Sequence, residues 1–242
     1  MRDQYLQSMG ITRWVRRESD PVAVDAVTIK TAPQVEKTND VELTVVQTPD
    51  SHMADNLDWP ELETQVAACV ACDLHATRTN TVFGSDNQKA DWMLIGESPG
   101  TEEEQQGQPF MGQSGQLLTA MIEAMGLKRE QVYITNTLKC RPPENRDPDE
   151  NEMMACEAFL RRQIELVQPK MILVLGRVAA QSILNTDKRM KDLHGKVFEY
   201  KKTGIPVIAT YHPAYLLRTP TDKRIAWQDL KTAMRIVIGE SS

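Results

Sequence analysis

From residue 92 onward, short apolar runs alternate with stretches whose apolar positions repeat every three or four residues. WMLIG (Trp92–Gly96), VYITN (Val132–Asn136), MILVLG (Met171–Gly176) and IPVIATYHP (Ile205–Pro213) read as buried strands. Helical spacing follows in ELETQVAACVAC (61–72), in SGQLLTAMIEAMG, which Gly126 stops, in DPDENEMMACEAFLRRQIELVQP, in RVAAQSILN and from Asp222 to Ile238. In the third of these, Asp147 is placed to cap, with Pro148 at the first helical position and Glu150 completing a capping box. Strand–helix alternation of this kind predicts a three-layer α/β/α fold around a central four-stranded parallel sheet.

The pattern before Trp59 is different. Residues 1–20 read as a short amphipathic helix (Tyr5, Leu6, Met9) followed by ITRWVRR, and Pro21–Asp58 has no clear period. The predicted organisation is a partner-binding peptide over 1–20, a disordered linker over 21–58 and one globular domain over 59–242.

Charge and composition narrow the function classes. The chain of 242 residues has a net charge of -6, and residues 1–58 hold 6 Lys and Arg against 10 Asp and Glu. That balance argues against tight nonspecific nucleic-acid binding while leaving room for a local basic patch. No apolar run approaches membrane-spanning length and no signal-peptide core opens the chain, so the expectation is a cytosolic protein without a membrane partner.

Candidate chemistry gathers at the strand ends. Glu97, Asn136, Gly176 and His212 each fall at or just past the carboxyl end of a predicted strand, the edge where open α/β sheets bind ligands. The loop GESPGTEEEQQGQPFMGQSG looks like a phosphate cradle by its glycines but carries Glu97, Glu102, Glu103 and Glu104 and no Lys or Arg. Glu102 and Glu104 are expected to face solvent. The four cysteines are Cys69 and Cys72 in CxxC, Cys140 and Cys156. Four thiolates suit either zinc or a [4Fe–4S] cluster, and the scattered spacing favours the cluster over a compact zinc knuckle.

Five ordered motifs carry a family resemblance: CxxCxL from Cys69, GESPGxxEExxGxPFxGxSGxLL from Gly96, NxxKCRPPxNRxPxxxExxxC from Asn136, LGxxAA from Leu175 and TYHPAYLLR from Thr210. Together, over roughly Leu62 to Val237, they resemble the family 4 uracil-DNA glycosylases, the iron–sulfur branch of that superfamily. The resemblance implies hydrolysis of the N-glycosidic bond of flipped-out uracil in DNA, and a [4Fe–4S] cluster on Cys69, Cys72, Cys140 and Cys156. It implies Glu97 as the acid near the sugar and His212 as the donor to the leaving base. Asn136 would read the base edge, Phe110 would stack on it and Glu103 would block a thymine methyl. Leu216 or Leu217 would wedge into the DNA stack, while Arg218 and the amides of Gly112, Ser114 and Gly115 would hold phosphates. Ser98 replaces the family's alanine, and KCRPPENRDP lacks the histidine with which one subgroup traps the sugar covalently.

The first twenty residues carry a second resemblance. LQSMGITRW (Leu6–Trp14) is similar to the peptide with which the psi subunit of bacterial DNA polymerase III docks on the clamp loader. It implies a clamp-loader partner, and leaves open an accessory subunit in which the glycosylase fold is a scaffold with weak or no catalysis.

Overall fold

A computed structural model describes residues 54–239, apart from 86 and 202. The peptide expected over 1–20 and most of the expected linker therefore lie outside the described residues. The chain runs α1 (Trp59–Ala68), β1 (Trp92–Gly96), α2 (Thr101–Gln106), α3 (Gln113–Ala124), β2 (Val132–Asn136) and α4 (Glu150–Val167). It continues through β3 (Met171–Leu175), α5 (Arg177–Leu184), α6 (Met190–Leu193), β4 (Val197–Glu199), β5 (Pro206–Thr210), α7 (Pro213–Arg218) and α8 (Lys223–Ile238).

The sheet order is β2-β1-β3-β5-β4. β2, β1, β3 and β5 pair in parallel, and β4 adds an antiparallel edge beside β5. The four-stranded expectation thus gains a fifth strand. β4 has only three residues, two of them exposed, so no buried apolar run announces it.

β1, β2 and β3 are buried along their length and β5 from Val207 onward, because both faces are covered. Met93, Ile95, Ile172, Val174, Val207 and Ala209 pack under Leu160 and Ile164 of α4 and Ala179, Ala180 and Ile183 of α5. The alternate positions Trp92, Leu94, Ile134, Leu173 and Ile208 pack under Leu118 and Ile122 of α3 and Leu230 and Ala233 of α8. The side-chain period of two divides one strand between two cores, giving the three layers.

Two boundaries differ from the sequence reading. Ala54 is fully buried and Leu57 packs beside it against Leu62, Val66 and Phe159, so residues 54–58 belong to the packed domain. Asp58 then caps α1 in a reciprocal box with Glu61. At α4 the cap is Asp149, not Asp147, and its box partner is Glu152. Tertiary charge decides between the two aspartates: Asp147 pairs with Arg177 at 2.7 Å, while Arg146 grips Glu152.

Candidate active site

The carboxyl ends of β1, β2 and β5 open on a cleft of about 430 Å³ lined by Glu97, Pro99, Glu103, Phe110, Asn136 and His212, with Asn145 and Arg218 at its walls. Parallel registration brings them together, since Gly96 pairs with Asn136 across the β1–β2 ladder. A larger cleft of about 890 Å³ lies between α4, α5 and the β4 hairpin, and it holds none of the residues nominated from sequence.

Asn136 is 1% exposed, and its Oδ1 is a buried acceptor without a hydrogen-bond partner among the described residues. An unmet acceptor in a native interior is costly, so its place on a cleft wall marks it for a ligand donor. Phe110 stands across from it with φ +55°, a left-handed conformation that is strained for an aromatic residue. Its ring reaches so close to Gly96 that an added methyl there would lie 2.6 Å from Cζ and 2.4 Å from Asn136 Oδ1. The backbone of β1 thus forms the floor between the stacking ring and the amide.

His212 caps α7, its Nδ1 accepting from the Ala214 amide at 3.2 Å. Burial, assisted by the charge of Arg218, pushes its pKa down to about 4. The imidazole is therefore neutral at pH 7, and with Nδ1 accepting, the proton sits on Nε2. Its ring centroid is 5.6 Å from that of Phe110.

Burial raises the pKa of Glu97 above the ordinary carboxylate value, Asp147 raises it further, and Arg177 works against both. A carboxylate so placed is more basic than a solvated one.

The acidic loop divides its labour. The Glu103 carboxylate lines the cleft and accepts from the amides of Gly100, Met111 and Gly112 at 3.1, 2.9 and 3.1 Å. It fixes the turn that carries Phe110. Glu104, expected to face solvent, is instead 7% exposed, accepting from the Thr79 amide and pairing with Arg141. Helical geometry puts the two consecutive glutamates on inward positions once α2 docks, which composition alone cannot reveal.

The proposed DNA contacts separate in the same way. Leu216 is 1% exposed and packed inside, whereas Leu217 is 40% exposed, so only Leu217 is placed to act as a wedge. The Gly112 amide is taken by Glu103 and cannot bind phosphate. Ser114, Leu217 and Arg218 line a second groove beside the cleft. Gly115 is buried against the loop, where a methyl group would lie 1.8 Å from the Phe110 carbonyl oxygen.

Cys140 and Cys156 are buried with Leu74 and Leu138, and Cys72 packs against them. Cys72 and Cys140 lie within electrostatic reach of each other and of both Cys69 and Cys156. Burial pushes the Cys72 and Cys140 thiols up, and that of Cys156 to about 12. Arg78 donates to Cys140 Sγ at 3.3 Å. Four soft donors with cations beside them suit a thiolate-bound metal group. Among the described residues, however, no three His, Cys, Asp or Glu side chains converge on a single-ion site.

Three residues at this end were given no role from sequence. Asn145 reaches the cleft wall from a left-handed turn at φ +54°. Arg177 acts electrostatically on Glu97. Lys139, 1% exposed, sits between the cysteines and Asn136, and burial lowers its pKa to about 7 against the pull of Cys156 and Cys140. A lysine at a strand end normally reads as exposed, so only NxxKC hinted at it.

Residues 83–231 match the uracil DNA glycosylase superfamily. The chain belongs to that family. Its relatives place it in the type-4 branch: the type-4 uracil-DNA glycosylase of Archaeoglobus fulgidus is 48% identical over 165 residues, covering 64% of this chain and 81% of the relative. Those of Sulfurisphaera tokodaii and Thermotoga maritima are 42% and 40% identical, covering 74% and 72% of this chain and 84% and 91% of their own lengths. The matched superfamily segment begins at Phe83 and ends in α8, so it takes in every cleft residue named above together with Cys140 and Cys156. Among the described residues no helix of this type-4 chain is long and apolar enough to cross a membrane.

Proposed function

We propose that this protein hydrolyses the N-glycosidic bond of uracil flipped out of DNA, leaving an abasic sugar and free uracil. The observation that carries the reading is the unpartnered Oδ1 of Asn136 inside the cleft. Uracil presents an N3–H donor to such an acceptor, and cytosine presents a lone pair there, so one atom separates the two bases. Phe110 stacks on the ring. His212 donates from Nε2 to O2 as the C1′–N1 electron pair moves onto the base. Water attacks C1′ of the resulting cation, and Glu97 accepts its proton. That proton completes the account: water supplies the C1′ hydroxyl and, through Glu97, the hydrogen that uracil finally carries. Among the described residues no lysine lines the cleft, in keeping with hydrolysis without strand cleavage.

Cys69, Cys72, Cys140 and Cys156 would hold a [4Fe–4S] cluster whose contribution is to tie their segments together. Leu217, Arg218 and the first-turn amides of α3 at Ser114 and Gly115 would meet the DNA backbone and stack.

Incubation with a uracil-containing oligonucleotide followed by alkaline cleavage tests this. Glu97→Gln should release base at least about a hundredfold more slowly than wild type. Equal release by the two would remove Glu97 from the mechanism, and no release by wild type would favour the scaffold reading suggested by LQSMGITRW.

A further inference from the structure

Lys139 is among the largest fully buried side chains, and the chemistry above does not use it. Its Nζ donates to Thr135 Oγ1 at 2.7 Å, the Asn136 carbonyl at 2.8 Å and Gln163 Oε1 at 2.7 Å. Those acceptors satisfy all three protons of an ammonium. The network is fixed from behind: Gln163 Nε2 donates to the Phe83 carbonyl and to Tyr133 Oη, each at 2.9 Å. Gln163 is thereby held with its oxygen toward Lys139.

A buried cation also needs a counter-charge. Among the described residues no carboxylate forms an ion pair with Lys139. The ionisable groups that act on it are Cys156 and Cys140. Its own backbone N–H donates to Cys156. One residue therefore touches the cysteine site through its amide and charge, and the base-reading residue through its ammonium.

We propose that Lys139 is a positioning residue that offsets the negative charge of the metal-bound cysteines and, with the same side chain, sets Asn136 to read the base. This rests on the uracil reading for its second half only. The cysteine half stands on the hydrogen bond from the Lys139 amide to Cys156 and on the absence, among the described residues, of a carboxylate paired with its ammonium.

The test uses the full-length metal-loaded protein with Lys139→Met, Asn136→Ala and the double substitution. On single-stranded uracil oligonucleotide, Lys139→Met should lower kcat/KM by about tenfold or more, the worth of one charged hydrogen bond. In the Asn136→Ala background it should cost less than about threefold, because both changes remove one function. Iron released to a chelator, followed by visible absorbance, should come off faster from Lys139→Met. Multiplicative losses in the double substitution would overturn the link to Asn136, and unchanged iron release would overturn the link to the cysteines. If Lys139→Met does not fold, Thr135→Val removes one acceptor without touching Asn136 or a cysteine. It should shift both readouts in the same direction, and an unshifted pair would end the proposal. Wild type inactive on uracil is a separate outcome that removes the functional reading and leaves the iron-release arm to decide.

Discussion

Glu97 is held where its charge is unwelcome, and the consequence is measurable. Its folded pKa is raised, so this group favours folding at pH values below its unfolded pKa of 4.5 and loses that contribution as pH rises through the folded value. Glu97→Gln should therefore raise the melting temperature at pH 7 while removing excision, with the difference shrinking near pH 4. The same shift puts the acid limb of wild-type kcat/KM, which reports the free enzyme, above the 4.5 of an ordinary glutamate. His212 has the opposite sign: its pKa drops from 6.5 to about 4, so its share of stability is complete above pH 6.5 and is lost as pH falls toward 4. Nitrogen NMR at pH 6 should find it neutral with the proton on Nε2. An imidazolium at that pH would contradict the tautomer read from the Ala214 contact. At this scale the sequence was most informative, because residue types and spacing name chemistry directly. Leu216, Gly112 and Glu104 escaped it, since which side chain or amide is already occupied depends on partners 9 residues away for Gly112 and 25 away for Glu104.

At the level of elements, the loop between β1 and α3 is a braced turn with two tight contacts of different kinds. An alanine at Gly96 would strike side chains, Asn136 Oδ1 and Phe110 Cζ, which can shift. An alanine at Gly115 would strike the Phe110 carbonyl at 1.8 Å, so backbone must move. Both should impair excision, yet Gly115→Ala should lower the melting temperature more, the gap exceeding roughly 1 kcal/mol. Melting curves and single-turnover rates decide it, and the reverse order would mean that Phe110 is not held by its backbone. The parallel strands and long helices were legible because a period of two or 3.6 is written locally. The Asp149 cap was not, because Asp147 and Asp149 offer equal local chemistry and Arg177 chooses between them.

Over the whole molecule, the cleft and the four cysteines stand near one another through the β2–α4 loop, which carries Lys139, Cys140 and Asn145 within seven residues. A chain of net charge -6 must bind DNA locally, and Arg218, which lines the groove beside the cleft, is the cation proposed for one such contact. Residues 1–20 carry the apolar residues Tyr5, Leu6, Met9, Ile11 and Trp14. The resemblance of LQSMGITRW to a clamp-loader-binding peptide is tested by removing residues 1–20, which under that reading leaves excision on a short oligonucleotide unchanged and abolishes pull-down of clamp-loader subunits. Loss of both together would contradict a modular arm.

The sequence by itself determined the four parallel strands and the five longer helices, and it nominated the four cysteines and Glu97, Asn136, Phe110 and His212, because each follows from residue type and short-range order. Tertiary structure alone decided that β4 joins the sheet, that Glu103 and Glu104 turn inward, that Leu217 and not Leu216 faces out, and that Lys139 spans from the cysteines to Asn136. Burial and counter-charge are set by what packs against a residue from elsewhere in the chain, and no local window contains that.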